Sequence, residues 1–175
     1  ERIGGPAVPD PLSAERLASG LATSAQFVSG IASTFADWTR LFREHPNQFP
    51  AIDQSMFQKG GGAKDIYYAH AYWQIAEDEA WVIEVTPPGC YYWNFQLDNW
   101  WMESLDYRFQ QITVNKHSAR LEGDGSIRII CAARDPGVAN WIDTCGHREG
   151  TALLRWAGAS EYPLPIARIV KLEEL

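Results

Sequence analysis

No two of the three cysteines, Cys90, Cys131 and Cys145, stand in a C-x-x-C spacing, and an odd count leaves no fully paired disulfide framework. Reduced, buried thiols are expected, which favours a cytoplasmic location. There is no N-x-[ST] acceptor, no G-x-S-x-G elbow, no H-E-x-x-H pair and no G-x-x-x-x-G-K-[ST] run, so the common hydrolase and nucleotide signatures are missing. Basic charge is scarce: 15 Lys and Arg against 22 Asp and Glu give a net charge of −7. A nucleic-acid partner is therefore not expected, because affinity for a phosphate backbone comes from clustered cations that displace counterions. Long apolar runs are lacking too. Leu17 to Ala36 carries no charge, but Ser19, Thr23, Ser24, Gln26, Ser29, Ser33 and Thr34 make it too polar for a membrane span.

What remains is 175 residues, 46% hydrophobic, enough for one compact domain and too apolar for disorder. Leu17, Leu21, Ala25, Val28, Ile31, Phe35, Trp38 and Phe42 recur at spacings mostly of three and four, which marks one face of a helix. Asp10-Pro11 and Ser13 signal its start and His45-Pro46 its end. Residues 1–45 are thus expected to be an N-terminal helical segment, one helix or two with a break near Gly30. Residues 46–65, with Pro50 and Gly60-Gly61-Gly62, read as a mobile linker; no helix or Lys-Ser/Thr follows the glycines to bind a phosphate.

Beyond Asp65 the period changes from 3.6 to 2. Strands are predicted at Ile66–Ala76, Ala80–Thr86, Tyr91–Leu97, Ile112–Val114, Ser118–Glu122, Ser126–Ala133, Thr151–Ala157 and Ile166–Leu172. Pro87-Pro88-Gly89, Gly123-Asp124-Gly125 and Asp135-Pro136-Gly137 supply the reversals between them. No βαβ rhythm appears, so the fold class is mainly β, an antiparallel sandwich or barrel over residues 66–175. Along the strands, Tyr68, His70, Tyr72 and Gln74 share one face, and Tyr92, Asn94, Gln96 and Asp98 another, with Glu84 on a polar face between them. If these faces align, they suit a ligand with apolar and hydrogen-bonding parts; a solvated polar face has the same pattern.

The densest local pattern is Asp135-Pro136-Gly137, then Asn140-Trp141-Ile142-Asp143-Thr144-Cys145-Gly146, Gly150-Thr151 and Arg155-Trp156. This run resembles the C-terminal signature of the domain-of-unknown-function family numbered 1214, as do the Gly-rich loop before Asp65-Ile66-Tyr67 and the Asp124-Gly125-Ser126 turn. The resemblance covers most of the chain after Pro46. It implies a jelly-roll-like β domain, often C-terminal to a companion family numbered 1254, and it assigns no catalytic residue. Pro87-Pro88-Gly89 departs from the plain strand-turn-strand of relatives.

Two roles follow. The first is binding of a small amphipathic ligand, with Tyr72, Tyr92, Gln96, Asn140, Trp141 and Arg155 as contact residues, or assembly with a second copy or a companion domain through the helix and aromatic strands. The second is a hydrolase, with a divalent metal in one version, whose site lies at the Asn140–Glu149 loop and whose candidate catalytic residues are His117, Asp143, His147 and Glu149. Cys145-x-His147-x-Glu149 has no matching second cluster, so no metal ligand set and no cofactor are assigned. In both roles the loop around Trp141 is expected to roof the hollow left by the sheets.

Overall fold

The computed structural model describes residues 4, 5, 8 and 10–175. Helix α1 runs unbroken from Ala14 to Phe42, so Gly20 and Gly30 do not divide it. Ser13 caps it as its sequence predicts, its Oγ accepting the Arg16 N–H at 3.1 Å. The chain forms two compact units, Glu1–Thr34 and Phe35–Leu175, and the boundary falls inside α1 rather than at residue 45. In the first unit the helix exposes Leu17, Leu21, Val28 and Ile31. No described helix is long and apolar enough to cross a membrane.

The second unit is an antiparallel sandwich of two four-stranded sheets. Its strands are β1 (Ile66–Gln74), β2 (Glu79–Val85), β3 (Tyr92–Asp98), β4 (Thr113–Asn115), β5 (Ile127–Ala132), β6 (Trp141–Asp143), β7 (Glu149–Ala157) and β8 (Ile166–Lys171). One sheet has the order β1-β7-β3-β4 and the other β6-β5-β2-β8. Every pairing is antiparallel except β5 with β6. β6 falls within the Asn140–Glu149 segment expected to be a loop, and at three residues it is too short to show alternation in sequence. The predicted arm Ser118–Glu122 makes only a single bridge, Leu121 to Ile127, because Gly123-Asp124-Gly125 closes a tight turn and the chain then diverges.

Alternation decides what faces inward. Trp93, Phe95 and Leu97 of β3 meet Trp81 and Ile83 of β2 and Ile127 and Ile129 of β5 in one core between the sheets. The buried Trp81 ring stands edge-on to Phe95 across the sheets at 6.4 Å and stacks on Phe49 at 5.4 Å. Each deeply buried indole N–H finds a carbonyl: Trp73 that of Thr151, Trp81 that of Asn47, Trp156 that of Pro163.

The expected linker, residues 46–65, is instead docked on the outer edge of β1 and carries a short helix α2, Ser55–Lys59. Asn47 donates its backbone N–H to the Tyr72 carbonyl, and its amide both accepts from and donates to the Gln74 backbone. Gln54 does the same for Tyr68, accepting its N–H at 2.9 Å and donating to its carbonyl at 3.2 Å. The segment therefore satisfies edge groups that another chain would otherwise pair with. Sequence reading missed this because the partners lie far apart in the chain.

Candidate functional site

The register of the β1-β7-β3 sheet sets its outward side chains in rows. Tyr68 lies opposite Arg155, which lies opposite Asn94; His70 opposite Leu153, opposite Gln96; Tyr72 opposite Thr151, opposite Asp98. The two polar faces predicted for β1 and β3 do align. Glu84 does not join them: it sits on the other sheet, paired with Arg168 and Arg128.

This face is only partly open to solvent: His70, Asp98, Thr151 and Leu153 are buried, while Tyr68, Asn94, Gln96 and Arg155 are half-buried. The last turns of α1 bring Phe35 and Trp38 over it, α2 brings Phe57, and the segment after β3 brings Met102, lining a partly open cavity of about 240 Å³. Its floor carries Tyr68, His70, Gln96, Asp98, Leu153 and Arg155. Phe42, fully buried, and the Thr39 hydroxyl, which donates to the Trp100 carbonyl at 2.9 Å, pin the helix end. Trp38 stands edge-on to Phe57 at 5.4 Å. The glycines close the roof at one side. Gly61 has φ +98°, and a Cβ on Gly62 would come within 2.9 Å of the Phe57 carbonyl oxygen. Ala63 then donates its N–H to the Tyr68 hydroxyl at 3.0 Å. The expected mobile glycine loop is thus a fitted part of the cavity wall.

The floor is electrostatically unusual. The Gln96 amide bridges two charges: its Oε1 accepts from Arg155 Nη1 at 3.0 Å and its Nε2 donates to Asp98 Oδ1 at 2.7 Å. Asp98 is 3% exposed, and burial pushes its carboxyl up to about 6 against the opposing pull of Gln96 and Arg155. His70, also 3% exposed, is flanked by Phe42 and Phe57 with ring centroids at 4.8 and 4.6 Å. Burial, with the Arg155 charge, pulls the imidazole down to about 3, so it is neutral, and its Nδ1 has no hydrogen-bond partner. Burial lowers the Arg155 pKa as well, countered by Asp98, Tyr68 and Tyr92.

Gln96 and Arg155, predicted as contacts, line this cavity. Tyr72 does not: it is fully buried, its hydroxyl donates to Glu149, and Arg43 lies over its ring at 5.6 Å. Burial and the Glu149 carboxylate hold that phenol well above its ordinary range. Tyr92 is half-buried beside His117, at 6.2 Å between rings, and His117 is exposed.

The Asn140–Glu149 segment serves the fold and does not roof the cavity. Asn140, with φ +56°, accepts the Arg120 N–H and donates to the Arg120 and Arg128 carbonyls. Trp141 donates its indole N–H to the Ala132 carbonyl, and Asp143 Oδ1 accepts the Cys145 N–H at 2.7 Å. His147 is exposed and lines two surface clefts, one with Arg134 and Glu77, the other with Asp106 and Arg108. Short polar side chains close to glycine fit a turn and a site equally well in sequence; here the backbone takes them. Among the described residues no group of three His, Cys, Asp or Glu is placed to hold a metal.

Sequence reasoning noted His70 and Asp98 on the polar faces but left them out of the contact set. It missed Phe35, Trp38, Phe57 and Met102 altogether. The signal for Phe35 and Trp38 was the apolar stripe ending at Phe42, which marks a face that must cover something; Phe57 and Met102 carry no such periodic signal.

No family model matches the chain, and no curated protein matches it. Among solved structures, an uncharacterised protein from Burkholderia cenocepacia is similar to it at 50% sequence identity, with a TM-score of 0.96, over 100% of this chain and 49% of that one. The chain thus spans about half the length of that protein. A second, from Vibrio parahaemolyticus, aligns at 13% identity and a TM-score of 0.49, over 93% of this chain and 47% of that one.

Proposed function

We propose that this protein binds a small amphipathic molecule in the cavity between the outer face of β1-β7-β3 and its aromatic roof. The observation that carries the reading is a polar floor of Gln96, Asp98, His70 and Arg155 kept under Phe35, Trp38, Phe57 and Met102. Burying a carboxyl and an imidazole without direct charge partners costs stability, and such costs concentrate where a site needs those groups. The volume, about 240 Å³, lies just below the usual range for drug-sized ligands of about 300–1,000 Å³, so the ligand is small. The lining contains no serine, threonine or cysteine nucleophile and one carboxylate, which favours binding over hydrolysis. Membership of the 1214 family belongs to the same proposal and is supported by the Asn140–Gly146 signature.

The test follows the Trp38 indole N–H by NMR while fragments, each with one ring and one polar head, are titrated. Some should shift it saturably, and Arg155→Gln should weaken those that do. A Trp38 signal unmoved by the whole panel removes the reading.

A metal-dependent hydrolase at Asn140–Glu149 is the weaker proposal, since Asn140 and Asp143 are engaged by backbone there. Assembly with a second copy is a separate proposal, supported by exposed Leu17, Leu21, Val28 and Ile31 on α1. Sedimentation should then show a dimer that Leu21→Glu dissociates; a monomer at high concentration removes it.

A further inference from the structure

The cavity floor balances one cation, Arg155, against one anion, Asp98, with neutral His70 between their rows. The two charges do not meet. Arg155 forms no ion pair within 4.0 Å among the described residues, and a neutral amide, Gln96, stands between the charges with one end on each. Among the described residues Arg155 donates only through Nη1, to Gln96, and none donates to Asp98 Oδ2. The buried His70 Nδ1 is also unpartnered. The site therefore has open valences of both signs a short distance apart, already bridged by a dipole that shows which end goes where.

We propose that the ligand carries a dipolar head, an anionic group for Arg155 beside a cationic or hydrogen-bond-donating group for Asp98, as in a free α-amino acid with an aromatic or long apolar side chain under Trp38 and Phe57. This rests on the binding reading above and narrows it. A simple anion would satisfy Arg155 but lie beside the Asp98 carboxylate; a simple amine would satisfy Asp98 but lie beside the guanidinium. In a partly dry site those like-charge contacts are screened far less than in water. A zwitterion makes both favourable contacts and neither unfavourable one. The cavity, about 240 Å³, has room for one ring and its head.

Three probes share a phenylethyl body and differ only in the head: L-phenylalanine, 3-phenylpropionate and 2-phenylethylamine. Calorimetry on the whole chain should find phenylalanine at least about tenfold tighter than either monopolar probe. Asp98→Asn, close to isosteric, should cancel its advantage over 3-phenylpropionate, and Arg155→Gln its advantage over 2-phenylethylamine, with circular dichroism showing both variants folded. Either monopolar probe binding as tightly as phenylalanine overturns the dipolar class. So does an absence of phenylalanine binding while Trp38 still responds to other fragments, an outcome that leaves the binding reading standing. A Trp38 signal flat to every fragment instead overturns the binding reading itself, and the dipolar class with it.

Discussion

The outer faces of the two sheets carry similar residue types and treat them in opposite ways. On the β6-β5-β2-β8 sheet, Glu84 lies half-exposed between Arg168 and Arg128, and its carboxyl is held below the ordinary range, first by the Arg168 hydrogen bond. On the β1-β7-β3-β4 sheet, Asp98 is buried, meets its Arg only through Gln96, and is pushed up to about 6. On the Glu84 face the charges lie directly beside their opposites, although Arg128 Nε, 3.7 Å from Glu84, is buried without a hydrogen bond. Under the roof built by α1, α2 and the glycines, Asp98 and Arg155 meet only through Gln96 and His70 Nδ1 is left unpartnered, and that is where a ligand has something to gain.

Removing the roof should break this contrast most severely. Phe57→Ala deletes a side chain 3% exposed; it should cost about 3–5 kcal/mol in urea unfolding and let the Asp98 carboxyl fall toward its ordinary value as water enters. The other sheet, and Glu84, should titrate unchanged. If Asp98 does not move, the roof is not what sets its pKa.

Asp98→Asn sharpens the comparison through pH. A carboxyl whose folded pKa is raised binds more protons folded than unfolded between 3.8 and about 6, so wild-type stability falls as pH rises through that window. His70 works the other way: with its pKa lowered from 6.5 to about 3, it adds stability as pH rises through that range, and the two largely offset each other. Asp98→Asn removes one side. Relative to wild type it should gain up to about 3 kcal/mol between pH 4 and pH 7, at about 1.4 kcal/mol per pKa unit, measured by denaturant unfolding at both. A pH-independent difference would mean Asp98 is not desolvated.

Gly150→Ala probes how the Asp98 end of β3 is held. A Cβ there would lie 2.2 Å from the Asp98 carbonyl oxygen and 2.9 Å from Trp73 Nε1, so backbone must move. A loss of about 1–3 kcal/mol is expected, with Asp98 shifted and Glu84 not. Smallest of all, Glu84→Gln should cost at most about 1 kcal/mol, less at high salt, because its pairs are half-exposed. A larger loss would place a buried network on that face as well.

Much of the sandwich was legible because period-2 alternation is a local signal: Trp93, Phe95 and Leu97 point inward, and Asn94, Gln96 and Asp98 outward, as their order requires. Half of the site was legible for the same reason. Gln96 and Arg155 follow from strand position, and His70 and Asp98 from the alignment of two faces. The roof was not fully legible, because the segment carrying Phe57 and Gly62 is held on β1 by long-range bonds from the Asn47 and Gln54 side-chain amides to its backbone, which leave no local trace. The Asn140–Asp143 motif left a structural and a functional role open in sequence, and its polar residues fold a difficult turn and a short parallel strand.

The most direct measurement is a carbon-detected NMR titration of the side-chain carboxyls of Asp98 and Glu84 in one sample. Asp98 should show a midpoint near 6 and Glu84 one below the usual Glu value of about 4.3. An Asp98 midpoint at or below 4 would mean that water fills the floor beneath Trp38 and Phe57, and the two faces would then be chemically alike.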